Sequence, residues 1–431
     1  MLPSAVDLLS LMGVIAFQGI LVGRYNPIAF AAEGYVLQFI FITFIIFLIY
    51  MMGGTILVSR RLGAGKFHEA NIAFTQSLLL AVVTGFGLIT AALWFFPIIT
   101  QYIVRLEAPI AVEAYQFLIH LLPFSIFIII NFIGCGFIRG SGDTGISMII
   151  SLFTNIINAV LAIGLIYGKW GLPELGLVGM AYATGIGHMA GSILLFIFIF
   201  KRKTVLNLYP KAWRKINFPI VKRIVKLGYP ITIEQLSWTI ALFILNIYAA
   251  RLGTESFTFH QVILQILELI SVIYQGIGLG NITIIGQAIG EGNKEKEWQI
   301  HRNSRRIILP IAILTGAACF IFAKPLLALY LPDITNLEPA ARVLRLFAIM
   351  QIPRSMVIIT SSHLRARNDV LWMVKSTTIL ALFWEVGMGY LLGVHFGFGL
   401  LGLWVVVGLD ETTKFIWHRI RLAKEKVVSI H

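Results

Sequence analysis

Apolar runs long enough to cross a lipid bilayer recur twelve times along the 431-residue chain, and no other feature constrains its fold so tightly. A helix needs roughly 20 mostly apolar residues to span the hydrocarbon layer. Inside that layer an open strand or loop leaves backbone N–H and C=O groups without partners, so repeated runs of this length mean packed helices. The runs fall at about 3–23, 34–58, 73–99, 114–138, 145–168, 175–200, 228–250, 258–285, 305–330, 341–363, 371–394 and 399–418. Only 13% of residues are charged, against about 25% in a soluble chain, which agrees with an all-α integral membrane protein. No charged segment precedes the first run, so no cleavable leader is expected. Cys135 and Cys319 both sit inside apolar runs, which implies neither a disulfide framework nor a metal site.

The net charge of +14 is informative through its placement. Arg60, Arg61 and Lys66, nine Lys and Arg residues within 201–226, Lys294 to Arg306, and Arg419 to Lys426 all lie in connections of one parity. The other face carries only scattered cations such as Arg24, Lys169 and Arg251. Cytoplasmic loops are enriched in Lys and Arg, so both termini and segment 201–226 are expected in the cytoplasm of a bacterial or archaeal cell, with the chain in its plasma membrane. Contact of these basic segments with anionic lipid follows from the same charges, and nucleic acid is not implied.

The chain also repeats itself. Shifting it by 227 places Pro3 on Pro230, Asp7 on Glu234, Arg24 on Arg251 and Gln38 on Gln265. Gly53, Gly63 and Gly65 fall on Gly280, Gly290 and Gly292 without a gap. Farther on, with a small slip, RGSGD at 139–143 faces RARND at 365–369. The expected organisation is a six-helix bundle at 1–200, a basic linker at 201–226, a second six-helix bundle at 227–421 and a tail at 422–431. Six is even, so the two halves are parallel repeats about an axis along the membrane normal, a transporter arrangement with the binding site expected at the repeat interface. The second half has a lead-in, FPIVKRIVKLGYP, that MLP at the start of the first half does not match, so the native chain either begins upstream of Met1 or starts short.

Several motifs sit at helix boundaries: SRRLGAGKFHEA (59–70), IRGSGDT (138–144), GLPELGLVGMAYAT (171–184), FHQV (259–262) and GQAIGEGNKEKE (286–297). With these in order, the chain resembles the multidrug and toxic compound extrusion (MATE) family of the MOP flippase superfamily over nearly its whole length. The resemblance implies two pseudo-symmetric six-helix bundles in a V. It implies an antiporter, not an enzyme, that lets Na+ or H+ in and sends a large, usually cationic amphipathic substrate out, as a monomer with no cofactor beyond the transported ion. Related branches flip lipid-linked saccharides. This sequence departs from the family's ion sites. Gln18 stands where several members carry a first-helix carboxylate, Ala162 follows Asn158 where some have an Asp, Trp238 lies near the depth of a seventh-helix Glu, and Arg354 takes the place of a tenth-helix Asp.

The polar residues inside the runs are the candidates for function, because a polar group at membrane depth must face protein or water. Asp7 and Glu234 each follow a proline by four residues. Proline favours the first helical turn, so either carboxylate is a helix-start residue favoured by the dipole or an ion-coupling group. Gln261, Gln265, Glu268 and Gln275 fall on one stripe of the eighth run, with Glu268 near its middle, as candidates for lining the substrate or ion cavity. Arg354 needs a carboxylate partner, for which Glu268, Glu234 and Glu385 are the candidates, and an Arg354 pair is read as an internal substitute for a bound ion. Gln18, Gln38, Asn155 and Asn158 are candidates for a neutral polar site in the first half. Asp410 and Glu411 are expected to pair locally with Lys414.

Other classes are excluded. HEAN at 68–71 lacks the second histidine of a zinc-protease motif, and no phosphate-binding GxxxxGK[ST] loop occurs. No clustered Asp-rich or His-rich motif suggests a membrane enzyme. A lipid-linked saccharide flippase calls for a basic cavity, whereas the internal charges here are mostly acidic. That disfavoured flippase and a member that binds without transporting are the remaining alternatives.

Overall fold

A computed structural model describes residues 2–100, 107–201, 203–209, 211–214, 216–331, 334 and 336–428. Among them no strand occurs, and the helices follow the apolar runs with longer ends. They are α1 (Leu2–Tyr25), α2 (Pro27–Gly63), α3 (Phe67–Ile98), α4 (Ala108–Leu121), α5 (Ser125–Ser141), α6 (Thr144–Tyr167), α7 (Gly176–Phe200), α8 (Lys211–Arg214), α9 (Phe218–Arg251), α10 (Thr254–Gly290), α11 (Lys294–Ile321), α12 (Ala323–Tyr330), α13 (Glu338–Ala366), α14 (Val370–Ala381) and α15 (Gly399–Val428). The fourth run is α4 and α5, joined through a tight turn at Leu122–Phe124 that holds Pro123. The eleventh begins as α14 and widens into π-helical stretches at Leu382–Met388 and Tyr390–His395. Eleven of the described helical stretches are long and apolar enough to span a membrane. The expected twelfth is α15, whose apolar stretch is interrupted by Asp410, Glu411 and Lys414.

The repeat is visible in the backbone. Gly65, after α2, and Gly292, after α10, have φ of +71° and +72°, the left-handed conformation that glycine adopts without steric cost. At the end of the fourth helix of each half, Gly142 caps α5 with φ +102° and Asn368 follows α13 with φ +65°. Asn is the residue that most readily replaces glycine at such a cap.

Contacts divide the chain into two compact units, 6–229 and 230–431 together with 1–5. In the first, Val22, Val36, Phe96, Phe117, Leu118 and Met180 form a buried core. Its α7 meets α6 through glycines: a side chain at Gly179 would lie 2.5 Å from the Leu165 carbonyl oxygen, and one at Gly191 would strike Thr154. Such close approach is how helices gain packing energy where lipid supplies no hydrophobic drive. The basic segment is held here too. Asn71, Thr75 and Gln76 of α3 accept from the backbone N–H groups of Asn207, Tyr209 and Asn217, and Gln76 donates to the Ala212 carbonyl. The start of α9 crosses α2 so closely that a Cβ at Gly53 would meet the Ile224 oxygen at 2.1 Å, and one at Gly228 the Ile49 oxygen at 2.0 Å.

The second unit buries Leu245, Phe259, Ile263, Leu344, Phe347 and Trp404 in one cluster and Tyr274, Ile308 and Ile359 in another. Gly276 of α10 admits the Cα of Ala5 to within 2.3 Å of where a Cβ would stand. Cys135 and Cys319 are both buried free thiols.

Candidate functional site

Asp7 is buried on α1, and its carboxylate pairs with Arg139 at the end of α5. Ser147 of α6 donates to the same carboxylate oxygen at 3.1 Å. The repeat mate of this pair exists. Glu234 of α9 accepts from Arg365 at the end of α13 at 2.9 Å, and Arg365 is the residue that faces Arg139 in the repeat. Each half thus ties its first helix to its fourth by an ion pair. Two expectations change here. Pro230 is inside α9, which begins at Phe218, so Glu234 lies sixteen residues from the helix start and the dipole does not explain it. Nor is Glu234 the partner of Arg354.

Arg354 donates from its Nη1 to Glu411 of α15 at 3.0 Å and from Nε to Ser271 of α10 at 3.0 Å. None of the three expected partners forms its ion pair. Glu268 lies near enough to sense the Arg354 charge but is not in ion-pair contact with it. Ser271, three residues on from Glu268, is buried and takes the Arg354 Nε contact, while Glu268 is exposed. Glu411, expected to pair with Lys414, goes to Arg354 instead, and Lys414 pairs with Asp410.

The α10 stripe divides. Gln261 turns inward and donates to Asn246 of α9 at 2.8 Å. Gln265, Glu268 and Gln275 are exposed on the unit's surface. Gln38, the repeat mate of Gln265, is exposed on α2 in the same way. In the first unit Gln18 donates to Asn158 at 2.8 Å and to Thr184 at 3.1 Å, and Asn155 donates to Ser10 at 2.9 Å. These residues form interhelical hydrogen bonds from α1 to α6 and α7, with Asp7 occupied separately by Arg139.

Glu385 is buried on the π-helical stretch beside Asp410 and Lys414 of α15. Along α15, Asp410, Lys414 and His418 recur every four residues and are all buried. His418 contacts Ser361 at 3.1 Å and Ser376 at 3.4 Å.

Glu297, Glu33 and His260 are among the buried polar residues that fall outside the expected candidates. Glu297, at the start of α11, is buried against His363 at 2.6 Å and Arg367 at 2.5 Å, with the rings of His301 and Trp298 each in tilted contact with His363. Its KEKEW context reads as a solvated charge run. Glu33 on α2 and His260 on α10 are each 2% exposed, and both His260 nitrogens and one Glu33 oxygen have no hydrogen-bond partner among the described residues. The signal for these two is the shift of 227 itself, which places Glu33 on His260.

Comparison with known proteins places this geometry among membrane transporters. The MatE family profile matches residues 3–163 and again residues 230–391, two starts separated by the same 227 residues as the internal repeat. A "probable multidrug resistance protein NorM" of Thermotoga maritima is 25% identical over 386 residues, covering 89% of this chain and 82% of that protein. An "uncharacterized transporter YisQ" of Bacillus subtilis is 25% identical over 404 residues, covering 92% and 87%. Among solved structures, a MATE protein in a bent conformation superposes with a TM-score of 0.89 at 24% identity, over 100% of this chain and 95% of that one. An outward-facing multidrug resistance MATE transporter of the MOP superfamily gives 0.88 at 24%, over 98% and 94%. At these identities the structural likeness speaks for the fold.

Proposed function

The chain belongs to the MatE family of multi-pass membrane transporters, and on that premise we propose that it is a cation-coupled antiporter that exports amphipathic cations. The relatives' names carry multidrug resistance, which supports drugs or drug-like metabolites as the substrate class. The observation that carries the reading is the exposed stripe Gln265, Glu268 and Gln275 on a helix otherwise apolar enough to span the membrane. Lipid cannot solvate these groups, so the stripe serves a polar occupant. One carboxylate flanked by amides attracts a cation and hydrogen-bonds its polar edge, while neighbouring apolar side chains hold its flat body. The bundles act by alternating access, exchanging an inward-moving H+ or Na+ for the substrate. The protein is a transporter rather than an enzyme. Its place is the plasma membrane, with both termini cytoplasmic and anionic lipid against the basic segments.

The test is a proteoliposome assay with an amphipathic cationic dye and separately imposed pH and Na+ gradients. Dye efflux above the gradient-free rate under at least one gradient is expected, and Glu268→Gln should reduce dye affinity about tenfold, the equivalent of ~1.4 kcal/mol. Efflux that ignores both gradients overturns antiport, and unchanged affinity in the variant removes Glu268 from the substrate surface.

A further inference from the structure

The second unit contains a buried charge cluster that the substrate surface does not use. It gathers Glu385 from the π-helical stretch after α14, Asp410, Glu411 and Lys414 from α15, and Arg354 from α13. Asp410 is fully buried, Glu385 is 5% exposed and Lys414 is 8% exposed. Two pairs absorb most of the charge: Lys414 on Asp410, and Arg354 on Glu411. Three carboxylates against two cations leave one negative charge over, held by Glu385 beside Asp410. Oδ1 of Asp410 is buried without a hydrogen-bond partner among the described residues. A fully buried group with an unused acceptor, next to a second carboxyl, is a place for one positive particle. The cost of burying an unbalanced charge is what drives it there.

From this geometry we infer that the Glu385–Asp410 pair binds one proton, with Lys414 as a built-in counter-ion, and that this proton is the coupling ion. The inference rests on the antiport reading for its coupling role but not for the site itself. A bound proton forms an O–H bond on one carboxyl, and the facing carboxylate accepts from it. Its release to water restores the single excess negative charge. A metal cation would have to displace the Lys414 ammonium from Asp410. Among the described residues no group of three His, Cys, Asp or Glu side chains is arranged to hold a metal ion.

The surrounding charged groups are consistent with one site. On α15, Glu411 is engaged by Arg354, and His418 lies one turn beyond Lys414 against Ser361 and Ser376. On α13, Arg365 is committed to Glu234. On α10, Ser271 binds Arg354, and Glu268 is exposed outside the buried group. At the end of the second π-helical stretch, His395 is exposed. Glu268 nonetheless feels the cluster through Arg354. A cation arriving at Glu268 adds positive charge next to Arg354 and favours loss of the proton, which is the sign that exchange requires.

Infrared difference spectroscopy on the purified protein tests the site without any substrate. Wild type should show the C=O stretch of a buried protonated carboxyl that disappears as pH is raised. Glu385→Gln should lose that band. The double variant Asp410→Asn with Lys414→Met, which removes one charge of each sign and so leaves the net charge of the cluster unchanged, should lose or shift it while keeping a cooperative thermal transition. Absence of the band in wild type, or its persistence unchanged in both variants, overturns the site. In proteoliposomes, pH-driven dye efflux should fall to the gradient-free rate in Glu385→Gln. Efflux driven by Na+ alone, with the infrared band intact, overturns the coupling role while leaving antiport standing. Efflux driven by neither gradient, with the band intact, defeats the antiport reading and leaves the proton site standing.

Discussion

At the scale of single residues, charges inside this protein are held in pairs whose partners come from other helices. Asp7 and Arg139 illustrate the energetics. Both are nearly buried, with side chains 5% and 10% exposed, so removing one leaves the other desolvated. The loss from breaking a buried pair is about 3–5 kcal/mol, whereas removing both groups together can be close to neutral. Arg139→Ala should therefore lower the unfolding temperature in detergent strongly, and Asp7→Ala with Arg139→Ala should recover most of the loss. Additive losses in the double variant would mean the two groups act independently. The Asp7 and Glu234 carboxylates were legible as a symmetric couple in the sequence. Their partners were not, because a pair formed across 132 or 131 residues depends on which helix ends meet.

At the scale of elements, glycine decides where helices may touch. Gly179 of α7 has the α6 backbone against it, and backbone, unlike a flexible side chain, has no rotamer to yield. Gly179→Ala should destabilise by about 1–3 kcal/mol, the usual cost of overpacking. Gly13 of α1, where an added methyl group would meet nothing within 4 Å, should accept alanine without loss. Equal unfolding temperatures for the two variants would mean that α6 and α7 separate readily. The spanning helices were legible from apolar length, whereas the division of the ninth run into α11 and α12 after Ile321, and α8 in the basic linker, were not. The start of α9 was not. Pro230 reads as a helix opener, but the lead-in from Phe218 continues through it, because α2 receives that lead-in at Gly53. The departure of the eleventh span into π-helical turns left no mark in the sequence that hydrophobic periodicity could detect.

At the scale of the whole molecule, the parity of the basic connections predicts which ends share a side of the membrane. Both native cysteines are buried, so introduced thiols can be read without background. A cysteine replacing Lys203 should resist a membrane-impermeant maleimide in intact cells and react after lysis. One replacing Lys169, in the connection between α6 and α7, should react in intact cells. The opposite pattern would invert the orientation and with it the direction of export. The same duplication that sets the parity also appears in the family profile, which matches twice at the spacing of the internal repeat.

The sequence by itself determined the class of this protein: helices spanning a membrane, two homologous halves, and a transporter family. The first two follow from quantities local to the chain, the length of apolar runs and the recurrence of residues at a fixed offset; the family is what the ordered motifs at the helix boundaries resemble, and the matching family profile shows it. Only the tertiary structure decided the pairing of charges. Arg354 met Glu411 rather than Glu268, Lys414 kept Asp410, and Glu385 forms no ion pair among the described residues. The physical reason is that a buried ion pair depends on the rotation of each helix about its axis and on which neighbour faces it. A span's apolar composition constrains its length and leaves that rotation free.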